Sequence, residues 1–138
     1  IGSTTTGLRY YEDTETGTGD ITATAAMSGR TFYMGTAGKD VTLPAPANGL
    51  WYKVVITANV ATTNMLVKED SQVGAGVMYG TFEVAGAVVA CSTTDQINFV
   101  ADTNEAINGD WVMLRSDGTN WYISGTAKNA AALTCTDV

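Results

Sequence analysis

The side chains that could do acid–base or nucleophilic chemistry are few here, and one type is missing: the 138 residues include no histidine. Histidine is the commonest general base and metal ligand and the usual partner of a Ser or Cys nucleophile, so most hydrolase schemes lose their proton carrier. Carboxylate pairs remain, since glycoside hydrolysis needs only two acids flanking a bond. The candidates Asp95, Asp102, Glu105, Asp110 and Asp117 lie mostly in Thr-, Asn- and Gly-rich stretches. Solvated loops do not raise a carboxyl pKa as an apolar pocket does, so turn formation and solubility are their expected tasks. Loop carboxylates could also hold calcium. E-D-T-E at 12–15 and D-T-N-E at 102–105 supply the ligand types without the D-x-D-x-D-G order of a dedicated loop. Gly74 and Gly76 in Q-V-G-A-G-V lack the helix with Lys or Ser/Thr that a phosphate loop needs. No enzyme activity, metal or cofactor is expected.

Cys91 and Cys135 are the only cysteines, far apart and without metal-site spacing. The simplest expectation is two buried, reduced thiols. A bridge between them would add about 4 kcal/mol in the chain-entropy model and would need an oxidising compartment. The three tryptophans, Trp51, Trp111 and Trp121, raise the question of a sugar-stacking platform. Against it stand the usual places of a strand Trp, the core or a subunit contact.

These residues sit in short β-type runs rich in branched and aromatic side chains, separated by turn formers. Strands are expected at T-F-Y-M (31–34), V-T-L (41–43), W-Y-K-V-V-I-T (51–57), N-M-L-V-K (64–68), V-M-Y-G-T-F-E-V (77–84) and A-V-V-A-C (87–91). Three more are expected at Q-I-N-F-V (96–100), D-W-V-M-L-R (110–115) and W-Y-I-S (121–124). Alternation points Tyr52, Val54 and Ile56 into a core, and likewise Met78, Phe82 and Val84, with Gly80 marking a bulge or bend. Pro44 and Pro46 end one strand, Asn48-Gly49 turns into the next, and Ala45 to Gly49 should lie at the rim. Residues 22–29 and 127–133 are the only helix-like segments, too short to stand alone.

The expected fold is therefore all-β: one antiparallel β-sandwich or barrel, jelly-roll-like, over residues 21–138, with an extended N-terminal arm over residues 1–20. Leu8 to Tyr11 form the one apolar cluster of that segment, which is either a disordered tail or an arm whose Leu8, Tyr10 and Tyr11 dock on a neighbouring subunit. The chain begins at Ile1 rather than Met, which points to a leading segment removed or outside this numbering.

Only 15% of residues are charged, and the formal net charge is −7. Seven scattered Lys and Arg assemble no basic patch, which argues against nucleic acid as a partner. No apolar run approaches the roughly 18–20 residues that span a bilayer, and no signal-peptide pattern opens the chain, so a soluble protein with no membrane partner is expected.

Three segments carry a resemblance: V-T-L-P-A-P-A-N-G-L-W-Y-K-V-V-I-T-A-N-V (41–60), I-N-F-V-A-D (97–102) and G-D-W-V-M-L-R-S-D-G-T-N-W-Y-I-S-G (109–125). Their order resembles small β-rich capsid decoration (cement) proteins and head-fibre modules of tailed bacteriophages. The resemblance covers roughly residues 41–125, consists of turn-and-strand signatures, and brings no catalytic residue with it. It implies a structural virion protein on the outer capsid surface, assembled in the host cytoplasm, that bridges major capsid subunits as a homo-oligomer, with a trimer favoured. It also implies free thiols at Cys91 and Cys135, because that cytoplasm is reducing. Leu8, Arg9, Tyr10, Tyr11, Trp111 and Trp121 are the candidate subunit or capsid contacts. The alternative is a receptor- or glycan-binding module of a fibre, working through exposed Trp and Tyr. In the closing hairpin, a three-residue loop Ser116–Gly118 would set Met113 opposite Trp121, and a two-residue loop Asp117–Gly118 would set Leu114 there. Either way both faces of the first strand are apolar, which predicts cover on both sides.

Overall fold

The computed structural model describes residues 14–70, 76–102 and 105–138. Its strands are β1 (Thr14–Gly17), β2 (Ile21–Thr22), β3 (Thr31–Met34), β4 (Asp40–Leu43), β5 (Trp51–Ile56) and β6 (Met65–Glu69). They continue with β7 (Met78–Val84), β8 (Ala87–Thr94), β9 (Gln96–Phe99), β10 (Trp111–Ser116), β11 (Trp121–Ala127) and β12 (Leu133–Thr136). A seven-stranded sheet in the order β1-β3-β5-β10-β11-β7-β8 packs on a five-stranded sheet in the order β12-β9-β6-β4-β2. The result is a β-sandwich, as the strand spacing predicts. The two helix-like segments resolve into one 3-10 turn at Ala25–Met27 and a turn before β12.

The sheets are mixed rather than antiparallel. From β1 to β6 the chain alternates between the layers, so β1, β3 and β5 lie parallel in one sheet and β2, β4 and β6 parallel in the other. Each connection that looks like a hairpin turn instead crosses the sandwich, and the next strand in the opposite layer supplies the length a parallel return needs. Among the described residues true hairpins occur only later, at β7–β8 and β10–β11. Thr14–Gly17, expected in the arm, form β1 and pair with β3. Residues 1–13, and with them Leu8, Arg9, Tyr10 and Tyr11, lie outside the described residues.

Alternation places the core as expected. Tyr52, Val54 and Ile56 are buried from β5, and Met78, Phe82 and Val84 from β7. Phe32, Tyr52 and Trp121 form an aromatic chain through the centre, with ring centroids 5.9 Å and 5.8 Å apart. The Tyr52 hydroxyl donates to the Thr24 carbonyl at 2.8 Å, and burial pushes its pKa up. Gly80 sits at a register shift between β7 and β8, the bulge its position predicts. Ala45 and Ala47 to Gly49 are exposed at the rim, and Gly49 has φ +82°.

The two cysteines overturn the free-thiol expectation: Cys91 of β8 and Cys135 of β12 are joined in a disulfide with Cα atoms 5.9 Å apart. β8 and β12 are edge strands of opposite sheets, so the bond pins the two layers together along one side. No sequence spacing signals this, because the strands meet only once both sheets exist.

Candidate interaction surface

Each sheet has one face in the core and one outside, and the two outer faces differ in chemistry. On the five-stranded sheet the outer side chains satisfy one another. The Gln96 amide donates to Asn98 Oδ1 at 2.6 Å, the Asn98 amide donates to Thr134 Oγ1 at 3.1 Å, and Lys68 Nζ meets Asp40 at 2.7 Å. That surface is mainly polar, with Leu66 standing between Asp40 and Asn98.

The outer face of the seven-stranded sheet is aromatic. Strand register lines up three rows across β5, β10, β11 and β7: Trp51, Arg115, Tyr122 and Tyr79, then Lys53, Met113, Ser124 and Thr81, then Val55, Trp111, Thr126 and Glu83. Trp51 is 37% exposed and Tyr122 is 49% exposed. Trp111 and Met113 are half-buried. Lys53 Nζ lies 5.1 Å from the centroid of the Trp111 ring, a cation–π contact that fixes the indole. Tyr79 and Tyr122 have centroids 6.5 Å apart. These rows carry Lys53 and Arg115 against Glu83 alone, although the whole chain has a net charge of −7.

The turns hold the rows in place. Trp51 is anchored at its backbone, which donates to Ser28 Oγ at 3.1 Å and accepts from the Gly29 N–H at 2.8 Å. The β10–β11 turn has four residues, Asp117 to Asn120, and pairs Ser116 with Trp121 and Leu114 with Ile123. Both registers expected from shorter loops are thus corrected. The cause is Asp117, whose Oδ1 accepts the N–H groups of Thr119 and Asn120 at 2.9 Å and 2.8 Å and stabilises the wider turn. Those backbone bonds, chiefly from Asn120 and then Thr119, hold the Asp117 carboxyl below its usual pKa, with the Tyr122 hydroxyl assisting. Gly118 takes the left-handed conformation, φ +101°, as its place in the turn requires.

The candidate contacts separate accordingly. Trp111 faces outward, whereas Trp121, expected at a surface contact, is wholly buried and joins the core. The four-residue turn decides this, since it fixes which face of β11 Trp121 occupies. Cover on both sides of β10 is likewise only half correct: Val112, Leu114 and Ser116 are buried, but Arg115 on the other side is exposed. Trp51, not singled out as a contact residue, is the exposed indole. Its place at the polar start of an alternating strand is the signal that marks it.

The carboxylates have other tasks. Asp110 is buried and accepts the N–H groups of Ile107 and Lys128 at 2.9 Å and 3.1 Å, clamping two turns. Glu105 accepts from the Asn59 amide at 3.1 Å. Asp95 is the corner where the chain passes from β8 to β9, and its Oδ1 is buried without a hydrogen-bond partner. Burial pushes the pKa of Glu69 up; a bond from the Val77 N–H opposes this, and repulsion from Asp95 and Asp137 adds to it. Among the described residues no group of three Cys, Asp or Glu could hold a metal ion. Parts of both calcium-type stretches, at 12–15 and 102–105, and Gly74 lie outside the described residues.

No protein-family profile, curated protein or solved structure matches the chain.

Proposed function

We propose that this chain is a structural virion protein that sits on the outer surface of a tailed-phage capsid and stabilises it by bridging major capsid subunits, as a homo-oligomer. The observation that carries the reading is the outer face of the seven-stranded sheet, where Trp51, Trp111, Met113 and Tyr122 are held in register on a rigid support. Segments 41–60 and 109–125, which resemble decoration proteins, supply β5, β10 and β11 of that face. They also touch at the rim, where the Gly49 N–H donates to the Ser116 carbonyl at 3.1 Å. Aromatic side chains offer large contact area at low entropic cost, which suits a patch repeated many times over a shell. The Cys91–Cys135 bond runs against the free thiols that the resemblance implies and requires exposure to an oxidising exterior.

The test is a heat challenge of purified particles with and without this protein. Particles lacking it should release DNA at a lower temperature, and adding back the wild-type chain should restore resistance. Equal resistance in both preparations contradicts the cement role.

One observation favours a second reading. Trp51, Arg115, Tyr122 and Tyr79 form a straight row over four adjacent strands, a strip on which a glycan chain could stack. Micromolar binding on a glycan array, lost in Trp51→Ala, would favour a fibre module over cement.

A further inference from the structure

The chain holds 14 carboxylates and 7 Lys and Arg, so a cation in it finds an internal partner easily. Arg30 meets Glu15 at 3.0 Å, Lys68 meets Asp40 at 2.7 Å, Lys39 lies 4.0 Å from Asp20, and Lys53 rests on the Trp111 ring. Arg115 is different. Its side chain is exposed on the outer face of β10 and meets no carboxylate or hydrogen-bond acceptor among the described residues. The acid closest in sequence, Asp117, is already engaged: its Oδ1 accepts the N–H groups of Thr119 and Asn120, and its Oδ2 accepts the Tyr122 hydroxyl at 3.1 Å. Glu83, the acid in the three rows of this face, lies two strands away and four residues further along.

The neighbours of Arg115 are rings. Register sets Trp51 of β5 opposite it on one side and Tyr122 of β11 on the other, and directly opposed side chains on a sheet face stand about 5 Å apart at Cβ. Both rings are held, Trp51 through its backbone bonds to Ser28 and Gly29, and Tyr122 through Asp117. An ion pair in open water is weak, but rings on both sides exclude water from a carboxylate docked between them, which strengthens the pair. The guanidinium is planar and presents parallel N–H groups that fit the two oxygens of a carboxylate.

We infer that Arg115 receives a carboxylate side chain of the major capsid subunit, held by the guanidinium between the Trp51 and Tyr122 rings. Charge selects this occupant: an unpaired cation framed by aromatic rings on an acidic protein is complementary to an acid in apolar surroundings. A phosphodiester chain would also meet the fork, but a single cation on a body of net charge −7 displaces too few counterions to hold nucleic acid. The assignment rests on the capsid reading above and supplies the chemistry of its contact.

The test is binding of the purified chain to purified particles that lack it, read by co-sedimentation. The particles are used as prepared and after their carboxylates are amidated with carbodiimide and glycinamide. Arg115→Glu should bind untreated particles at least about tenfold more weakly than wild type, as loss of an Arg hot spot does. Arg115→Lys should fall between the two, because an ammonium keeps the charge and loses the fork. Lys39→Glu makes the same change of charge in the loop before β4 and should bind like wild type. Each variant should unfold at the wild-type temperature, since neither side chain belongs to the core. Amidation should weaken wild type and leave Arg115→Glu no weaker than before. If wild type binds and either Arg115 variant binds equally well, the inference fails and the capsid reading stands; if wild type does not bind, both fail. Equal losses in Arg115→Glu and Lys39→Glu, or equal effects of amidation on wild type and Arg115→Glu, also overturn it. So does an altered oligomeric state of free Arg115→Glu, which would assign the carboxylate to a second copy.

Discussion

Trp121 combines the largest buried side chain of the core with a buried indole N–H that has no hydrogen-bond partner. Trp121→Ala should cost about 3–5 kcal/mol, as large aromatic truncations do. Trp121→Phe should stay within about 1 kcal/mol of wild type, since removing an unpaired donor recovers part of the ring's lost packing. Urea unfolding of the two variants checks this; equal losses would mean that the N–H is satisfied. Glu69 gives a pH prediction. Its folded-state pKa is raised, so its stabilising contribution is fully present below the unfolded value of about 4.3 and is lost as pH rises through the higher folded value. Glu69→Gln keeps an acceptor for the Val77 N–H and removes the repulsion from Asp95 and Asp137. It should be more stable than wild type at neutral pH and should flatten the profile above that window; a variant that follows the wild-type curve contradicts the assignment. Asp117 acts in the opposite sense, its support fading as pH falls through its lowered value. Much of this scale is legible in sequence, since alternation alone identifies Tyr52, Val54, Ile56 and Phe82 as core. Trp121 is not, because its face depends on whether the preceding turn has an odd or an even number of residues.

At the level of elements, the strands are readable and their neighbours are not. All nine expected strands form, but β1, β2 and β12 are short and Thr-rich, with too few apolar positions to register as runs. The parallel order of β1, β3 and β5 arises because successive strands fall in opposite layers, a choice that no single turn encodes. The disulfide belongs to the same class of hidden information. Its loop spans 44 residues, so replacing Cys91 and Cys135 with Ala should cost about 4 kcal/mol in denaturant unfolding. A loss below about 1 kcal/mol would show that the two edges hold together without it. Gly80 is a second pin. It has φ +149°, and a Cβ there would collide with the Ile123 carbonyl oxygen of the neighbouring strand. Gly80→Ala should destabilise by more than about 2 kcal/mol, combining backbone strain with displacement of β11. An unchanged melting temperature would mean that the β7–β8 bulge adapts freely.

For the whole molecule, the contrast between the two outer faces carries the account. The five-stranded sheet presents mostly bonded amides and hydroxyls with the Lys68–Asp40 pair and Leu66, whereas the seven-stranded sheet presents indoles, phenols and two cations on an acidic protein. That asymmetry suits a protein with one side against a partner and the other toward water. The motif order suggests a virion role, but the face itself emerges only when β5, β10, β11 and β7 are laid side by side. Trp51→Ala and Trp111→Ala should fold like wild type, since both side chains lie outside the core, and should lose particle binding. The most direct measurement is cryo-electron microscopy of particles carrying this chain. The account predicts sandwich-shaped density on the outer capsid surface, with the Trp51–Trp111 face buried against the boundary between capsid subunits. Density confined to a tail or fibre, or a sandwich whose Trp51–Trp111 face points to solvent, would contradict it.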